Sequence, residues 1–200
     1  FPSVFYLFAV WFFFVASYVY WQVPMFLSRL VLWMFTHTMY RVKHKNLTNI
    51  PKEGGALIVC NHVSYMDALL MIGACKRQIR FVMEEEYAHF PPIKTLLENG
   101  GVIAIDGTNS RSVRQAFNEV KKALNNGDVV CIFPEGRLTN DGNMNSFMRG
   151  MDLILRRSPV PVIPMALKGL WGSYFSRSKD GRACHGFPRR FWSKVEIEAG

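Results

Sequence analysis

No charged residue occurs among residues 1–28; the first is Arg29. Within that stretch, Phe5-Tyr6-Leu7-Phe8-Ala9-Val10-Trp11-Phe12-Phe13-Phe14-Val15 is apolar on every face of a helix. A helix of about 20 such residues can span a hydrocarbon core. A helix resting on a soluble core would carry a polar stripe, and this run has none before Ser17 and Gln22. Pro24 interrupts, and residues 25–40 continue as a second apolar stretch that includes Trp33 and His37. Two arrangements fit. Either the first segment spans a bilayer, or both segments form a hairpin in one leaflet, with Tyr18, Tyr20, Trp21, Trp33 and Tyr40 near the interface. A cleaved signal peptide fits poorly, because there is no basic n-region and no small-residue cleavage site. The cluster Arg41, Lys43, His44, Lys45 follows directly, which places the remaining chain on the cytoplasmic side by the positive-inside rule. The expected organisation is a membrane-embedded helical segment over residues 1–40 and a catalytic domain over residues 41–200. The chain starts at Phe and stops in a strand-like Glu-Ala-Gly, so we expect it to be a piece of something longer, truncated at the C-terminus.

Half of the 200 residues are apolar and only 20% are charged, which excludes a disordered chain. Four cysteines (Cys60, Cys75, Cys131, Cys184) are too few for a disulfide scaffold and lack zinc spacing, so reduced thiols are expected. The net charge of +9 calls for an anionic surface, and a membrane leaflet or a nucleic acid would each supply one. Between Lys168 and Lys194 the basic residues Lys168, Arg177, Lys179, Arg182, Arg189, Arg190 and Lys194 face one acid, Asp180. Nucleic-acid binding explains this charge but not the apolar leader. No nucleic acid is expected.

Residues 56–60 (Ala-Leu-Ile-Val-Cys) are continuous and apolar after a turn-forming stretch, as a strand buried on both faces should be. A helix is expected over residues 64–75, a strand over 79–83, and an irregular helix over 87–98 broken by Pro91-Pro92. A strand over 102–105 comes next. Residues 112–125 carry Val113, Ala116, Phe117, Val120 and Leu124 at helical spacing and end at Gly127, a good cap. Strands over 128–133 and 160–167, a helix over 149–157 and an edge strand over 194–199 complete the pattern. Alternating strands and helices imply an α/β fold, a mostly parallel sheet flanked by helices, preceded by the N-terminal hydrophobic membrane helix or hairpin.

Ligands of open α/β sheets bind beyond the carboxyl ends of strands. Three clusters occupy that location. The first is Asn61-His62-Val63-Ser64-Tyr65-Met66-Asp67. Five residues apart on one helix, His62 and Asp67 would point about 140° apart. They meet only if His62 lies in the turn before the helix and Asp67 on its first turn. The carboxylate would then hold Nδ1–H and leave Nε2 free to take a proton from a hydroxyl. Taken alone, the pair reads equally as a helix start with a dipole-favoured acid. The second cluster is Phe133-Pro134-Glu135-Gly136-Arg137-Leu138-Thr139, an abrupt turn after a buried strand. The third, Val160-Pro161-Val162-Ile163-Pro164-Met165-Ala166-Leu167, carries two prolines and should be an edge or line a site wall.

Together the clusters resemble the membrane glycerolipid acyltransferases, the 1-acylglycerol-3-phosphate acyltransferase family. The H-x4-D motif is His62 and Asp67, and the second motif resembles Gly101-Val102-Ile103-Ala104-Ile105-Asp106-Gly107. Phe133-Pro134-Glu135-Gly136 matches F-P-E-G, and residues 160–167 match the proline-bearing fourth block. The resemblance implies transfer of a fatty acyl group from a thioester, acyl-CoA or acyl carrier protein, to the free hydroxyl of a lysophospholipid. His62, oriented by Asp67, would be the base, with no covalent intermediate and no cofactor. Asn61, Glu135, Gly136, Arg137, Thr139 and Arg111 would form the acceptor site. Five scattered histidines (His37, His44, His62, His89, His185) give no metal spacing.

Two departures matter. Gly107 stands where the family usually has Arg, and Glu135-Gly136-Arg137-Leu138 replaces E-G-T-R. Those arginines would grip a phosphomonoester. Their displacement points to a full head group, lysophosphatidylethanolamine, unless Arg137 or Arg111 compensates for them. The variant, with Gly169-Leu170-Trp171-Gly172-Ser173, resembles 2-acylglycerophosphoethanolamine acyltransferase domains. Such domains are fused to or associated with a lysophospholipid transporter or an acyl-carrier-protein synthetase, which implies the cytoplasmic face of a bacterial inner membrane. The alternative acceptor is 1-acylglycerol-3-phosphate. Two further rivals are a membrane-anchored lipid hydrolase, which would need no acceptor but finds no G-x-S-x-G here, and a non-catalytic lipid-binding module.

Overall fold

The computed structural model describes residues 2–22, 24–88, 94–148, 150–177 and 192–200. Helices α1 (Pro2–Gln22) and α2 (Pro24–Met39) lead into strand β1 (Tyr40–Lys45) and a 3-10 turn (Leu47–Asn49). There follow β2 (Ala56–Cys60), α3 (Asp67–Ala74), β3 (Ile79–Glu84), α4 (Glu85–Ala88), α5 (Lys94–Asn99), β4 (Ile103–Ile105) and α6 (Ser110–Asn125). The last elements are β5 (Val129–Ile132), α7 (Gly150–Arg157), β6 (Val162–Lys168) and β7 (Ser193–Ala199). One seven-stranded sheet runs β1-β7-β6-β2-β5-β3-β4. All its pairings are parallel except β6 with β7. The α/β, mostly parallel architecture is therefore as the alternation of elements implied.

Alternate residues of the central strands feed two cores. Ile58, Cys60, Phe81, Cys131 and Met165 pack with Leu32 of α2 and with Leu69, Leu70 and Met71 of α3. Leu57, Ile103, Val130 and Ile132 pack with Ala116, Val120, Ala123 and Leu124 of α6 and Ile154 of α7. Strands with both faces covered must read as unbroken apolar runs, which is why β2 and β5 were legible. Helix α6 starts where Asn109 accepts hydrogen bonds from the N–H groups of Arg111 and Ser112.

Several expectations change. Residues 41–45, expected as a basic flank of the leader, form β1, paired along its length with β7. Neither β6 nor β7 is an edge: β6 lies between β7 and β2, and β1 covers β7. Pro164 is tolerated inside the sheet because the β7 ladder starts at Met165, and on that side Pro164 contributes only its carbonyl, which accepts from Gly200 N–H. The helix expected from Ser64 begins at Asp67, since the preceding residues form the turn that carries His62. The stretch expected as one broken helix over residues 87–98 divides into α4 and α5; His89, Pro91 and Pro92 lie outside the described residues, as do Lys179, Asp180, Arg182, Cys184, His185, Arg189 and Arg190.

The two leading helices differ. Helix α2 packs on α3, burying Leu32 and Thr36, and Arg29 donates to the carbonyl of Lys76. In α1 every residue from 3 to 19 is exposed. Among the described residues no helix is long and apolar enough to cross a membrane.

Candidate active site

The parallel strands β6, β2, β5, β3 and β4 end on one edge of the sheet, and the site is built there. Leaving β2, the chain turns through Asn61 and His62 before α3 begins at Asp67. His62 Nδ1–H donates to Asp67 Oδ2 at 2.8 Å. The same oxygen accepts from the N–H groups of Val63 at 2.7 Å and Ser64 at 3.0 Å. Asp67 is fully buried, and its Oδ1 has no partner among the described residues. Three donors on one oxygen hold a charge that burial alone would penalise. His62 stacks on Phe133 at 4.1 Å and 16°, which fixes the plane of the ring. Its side chain is 24% exposed, and no described residue bonds to Nε2. A buried acid, an oriented imidazole and an unengaged Nε2 are the arrangement that general-base chemistry requires.

The turn after β5 closes the other side. Glu135 is 3% exposed. Its Oε1 accepts from His62 N–H at 2.9 Å, and its Oε2 accepts from Asn145 N–H and Nδ2 at 2.7 and 2.9 Å. The Glu135 side chain therefore holds the His62 turn rather than facing an acceptor. Asn61 is engaged likewise: its amide exchanges hydrogen bonds with the N–H and carbonyl of Leu167 in β6. Buried Thr139 donates its N–H to the His62 carbonyl, and its hydroxyl organises the turn at Asp141 and Gly142. Three residues expected to touch the acceptor thus lock β2, β5 and β6 around His62.

Gly136 turns with φ +64°, and a Cβ there would collide with Met148 Sδ. Arg137, next in the turn, is exposed and lies beside the β2 end. Arg111 is exposed in the first turn of α6, after β4, three strands from β2. At the usual strand spacing that is about 14 Å. The structure brings Arg137 to the His62 side of the edge and leaves Arg111 at its far end. Around Gly107 no atom lies within 4 Å of the Cβ position.

Asn145 and Phe133 are the site residues that sequence reading missed. In the sequence Phe133 stands only as the first letter of F-P-E-G. Asn145 lies in a stretch with no periodicity, and only the ten-residue return to Glu135 reveals it.

The thiols are unsuited to attack. Burial pushes Cys60 well up, and the charges of Asp67, Cys75 and Glu135 push it further. Burial raises Cys75 to about 11 and also raises Cys131. None of the three is a ready nucleophile at neutral pH.

A family model described as Acyltransferase matches residues 41–168. The chain belongs to this acyltransferase family. Its curated relatives include a chloroplastic 1-acyl-sn-glycerol-3-phosphate acyltransferase of Arabidopsis thaliana, 25% identical over 162 residues, covering 80% of this chain and 45% of the relative. A 1-acyl-sn-glycerol-3-phosphate acyltransferase of Borreliella burgdorferi is 26% identical over 119 residues, covering 60% of this chain and 48% of the relative. The chain thus spans about half the length of these relatives. The crystal structure of the Thermotoga maritima 1-acyl-sn-glycerophosphate acyltransferase PlsC shares the fold, with a TM-score of 0.67 at 23% identity, covering 97% of this chain and 83% of that one.

Proposed function

We propose that this chain transfers a fatty acyl group from a thioester to the hydroxyl of a lysophospholipid at a membrane surface. The observation that carries the proposal is the His62–Asp67 pair with Nε2 unengaged. Nε2 takes the proton of the acceptor hydroxyl as its oxygen attacks the thioester carbonyl. The buried Asp67 carboxylate stabilises the imidazolium that forms. The tetrahedral intermediate expels the thiolate, which receives that proton and leaves as the thiol of coenzyme A or of acyl carrier protein.

For the acceptor we favour 1-acylglycerol-3-phosphate, the substrate for which the relatives are named. Arg137 is then the phosphate contact from the β5 turn. The second reading, lysophosphatidylethanolamine, draws on Gly107: the β4–α6 corner offers no arginine at the position where the family usually has one, and a phosphodiester needs fewer donors. Attachment to the bilayer runs through α1. Its uncharged side chains are exposed along residues 3–19, and a lipid leaflet would cover them.

The test supplies labelled acyl-CoA or acyl carrier protein with a panel of lysophospholipids and weighs acylated lipid against free fatty acid. Acylation led by 1-acylglycerol-3-phosphate supports the proposal. A lead for lysophosphatidylethanolamine selects the second reading. Free fatty acid produced regardless of acceptor would show a hydrolase.

A further inference from the structure

Beyond the leading helices, exposed large apolar side chains are sparse, and three of them crowd into one loop beside the site. Met144, Phe147 and Met148 are 62%, 48% and 63% exposed. The loop is not a loose excursion. Asn145 is fastened to Glu135, Met148 N–H donates to the Pro134 carbonyl at 2.8 Å, and the Met148 side chain lies over Gly136. Its near end at Gly142 stands against the Trp171 ring, where a Cβ would approach within 2.8 Å. A segment held this firmly, with its large apolar side chains turned outward, presents an apolar lip that water solvates poorly.

The strand directions place a second feature on the same edge. Because β7 runs antiparallel to β6, its start lies beside the end of β6, and β1, parallel to β7, starts there too. Trp192, just before β7, is 55% exposed at φ +61°. An exposed bulky residue in the left-handed region is unusual. It is held by its N–H on the Met39 carbonyl and by Arg41 Nε on its own carbonyl. The lip and Trp192 thus flank His62 along one edge. Arg41 and Arg137 lie on this portion, with Asp141 of the loop bonded to Asn143, whereas Glu84, Glu85, Glu86 and Asp106 gather at the β3–β4 end.

We infer that this edge is itself a lipid contact, with Met144, Phe147 and Met148 seated in the outer part of a leaflet and Trp192 at the interface. The partner is a bilayer carrying anionic head groups. Methionine and phenylalanine suit a disordered hydrocarbon surface, tryptophan suits the head-group level, and the arginines suit anionic lipid. The contact is separate from α1. It would hold the mouth of the site against the leaflet.

The inference does not depend on which lipid is acylated, and its test turns over no substrate. The full chain is reconstituted in vesicles of equal parts phosphatidylethanolamine and phosphatidylglycerol, with or without bromine on the acyl chains. Phe147→Trp is compared with Val162→Trp, which places the probe at the opposite, starting end of β6, where Val162 is 41% exposed. The emission added over the parent protein is read. We expect the Phe147→Trp signal to be blue-shifted and to lose roughly half its intensity to brominated chains, as befits a side chain in the head-group and acyl boundary. The Val162→Trp signal should stay water-like and yield to aqueous iodide. Iodide quenching of both probes alike, or bromolipid quenching of both alike, would overturn the inference.

Discussion

The two ends of the catalytic edge are built differently. At the β2–β5 end, Asp67 Oδ2, both oxygens of Glu135, the amide of Asn61 and the N–H of Thr139 all bond within the protein, leaving His62 Nε2 as the group turned outward. At the β4–α6 end, Gly107 and Arg111 are exposed, and Asp106 bonds within its own corner, to Thr108, Asn109 and Ser112. The first end fixes the His62–Asp67 geometry in a net of bonds that a substitution cannot enter without breaking some of them. The second has open space around Gly107, so on the proposed function a substitution there would alter head-group preference and spare the His62 end.

The largest expected effect sharpens the first end. Asp67→Asn puts an amide where three N–H groups now donate, so His62 loses its orientation; acyl transfer should fall by about 10²- to 10⁴-fold, read as initial rate on protein whose unfolding is checked. Glu135→Gln comes next. Its new NH2 must face either the His62 N–H or the Asn145 donors, and the unpaired group should cost about 1–3 kcal/mol, read by chemical denaturation. Gly136→Ala should cost about 1–2 kcal/mol for the left-handed φ alone, with Met148 forced aside. Gly107→Arg tests the open end. It should leave stability within about 0.5 kcal/mol, because nothing crowds the site, and raise the preference for 1-acylglycerol-3-phosphate over lysophosphatidylethanolamine. The smallest effect is in pH dependence. Hydrogen bonds from Thr108 hold Asp106 below its ordinary 3.8, and those from Asn143 do the same for Asp141. Each contributes stability that is present above pH 3.8 and is lost as pH falls through the lower folded value, so Asp106→Asn should flatten the acid limb of a melting-temperature profile.

The same contrast explains what the sequence disclosed. Strands β2 and β5 were legible because burial on both faces forces an unbroken apolar run, and the His62 turn because H-x4-D cannot close on a continuous helix. Strand β1 was hidden: an edge strand bearing Arg41, Lys43 and Lys45 reads as a charged flank, and its pairing with β7 spans 151 residues, as the Lys45–Glu196 bond shows. The position of β7 inside the sheet depends on that same distant pairing, and that of β6 on its pairing with β7. At the site, the motif letters located Glu135 but not its duty. Only the fold shows that its carboxylate serves His62 and Asn145, which leaves Arg137 as the exposed group of that turn.

The most direct test is the initial rate of acyl transfer from a labelled thioester, wild type against His62→Ala, on protein whose thermal unfolding is checked. Removing the imidazole takes one of three donors from buried Asp67 and the stacking partner from Phe133, so the two rates are compared at a temperature where both proteins are folded. A general base fixed at His62 predicts a fall of about 10²- to 10⁴-fold in rate on folded protein. Equal rates in the two proteins would contradict it.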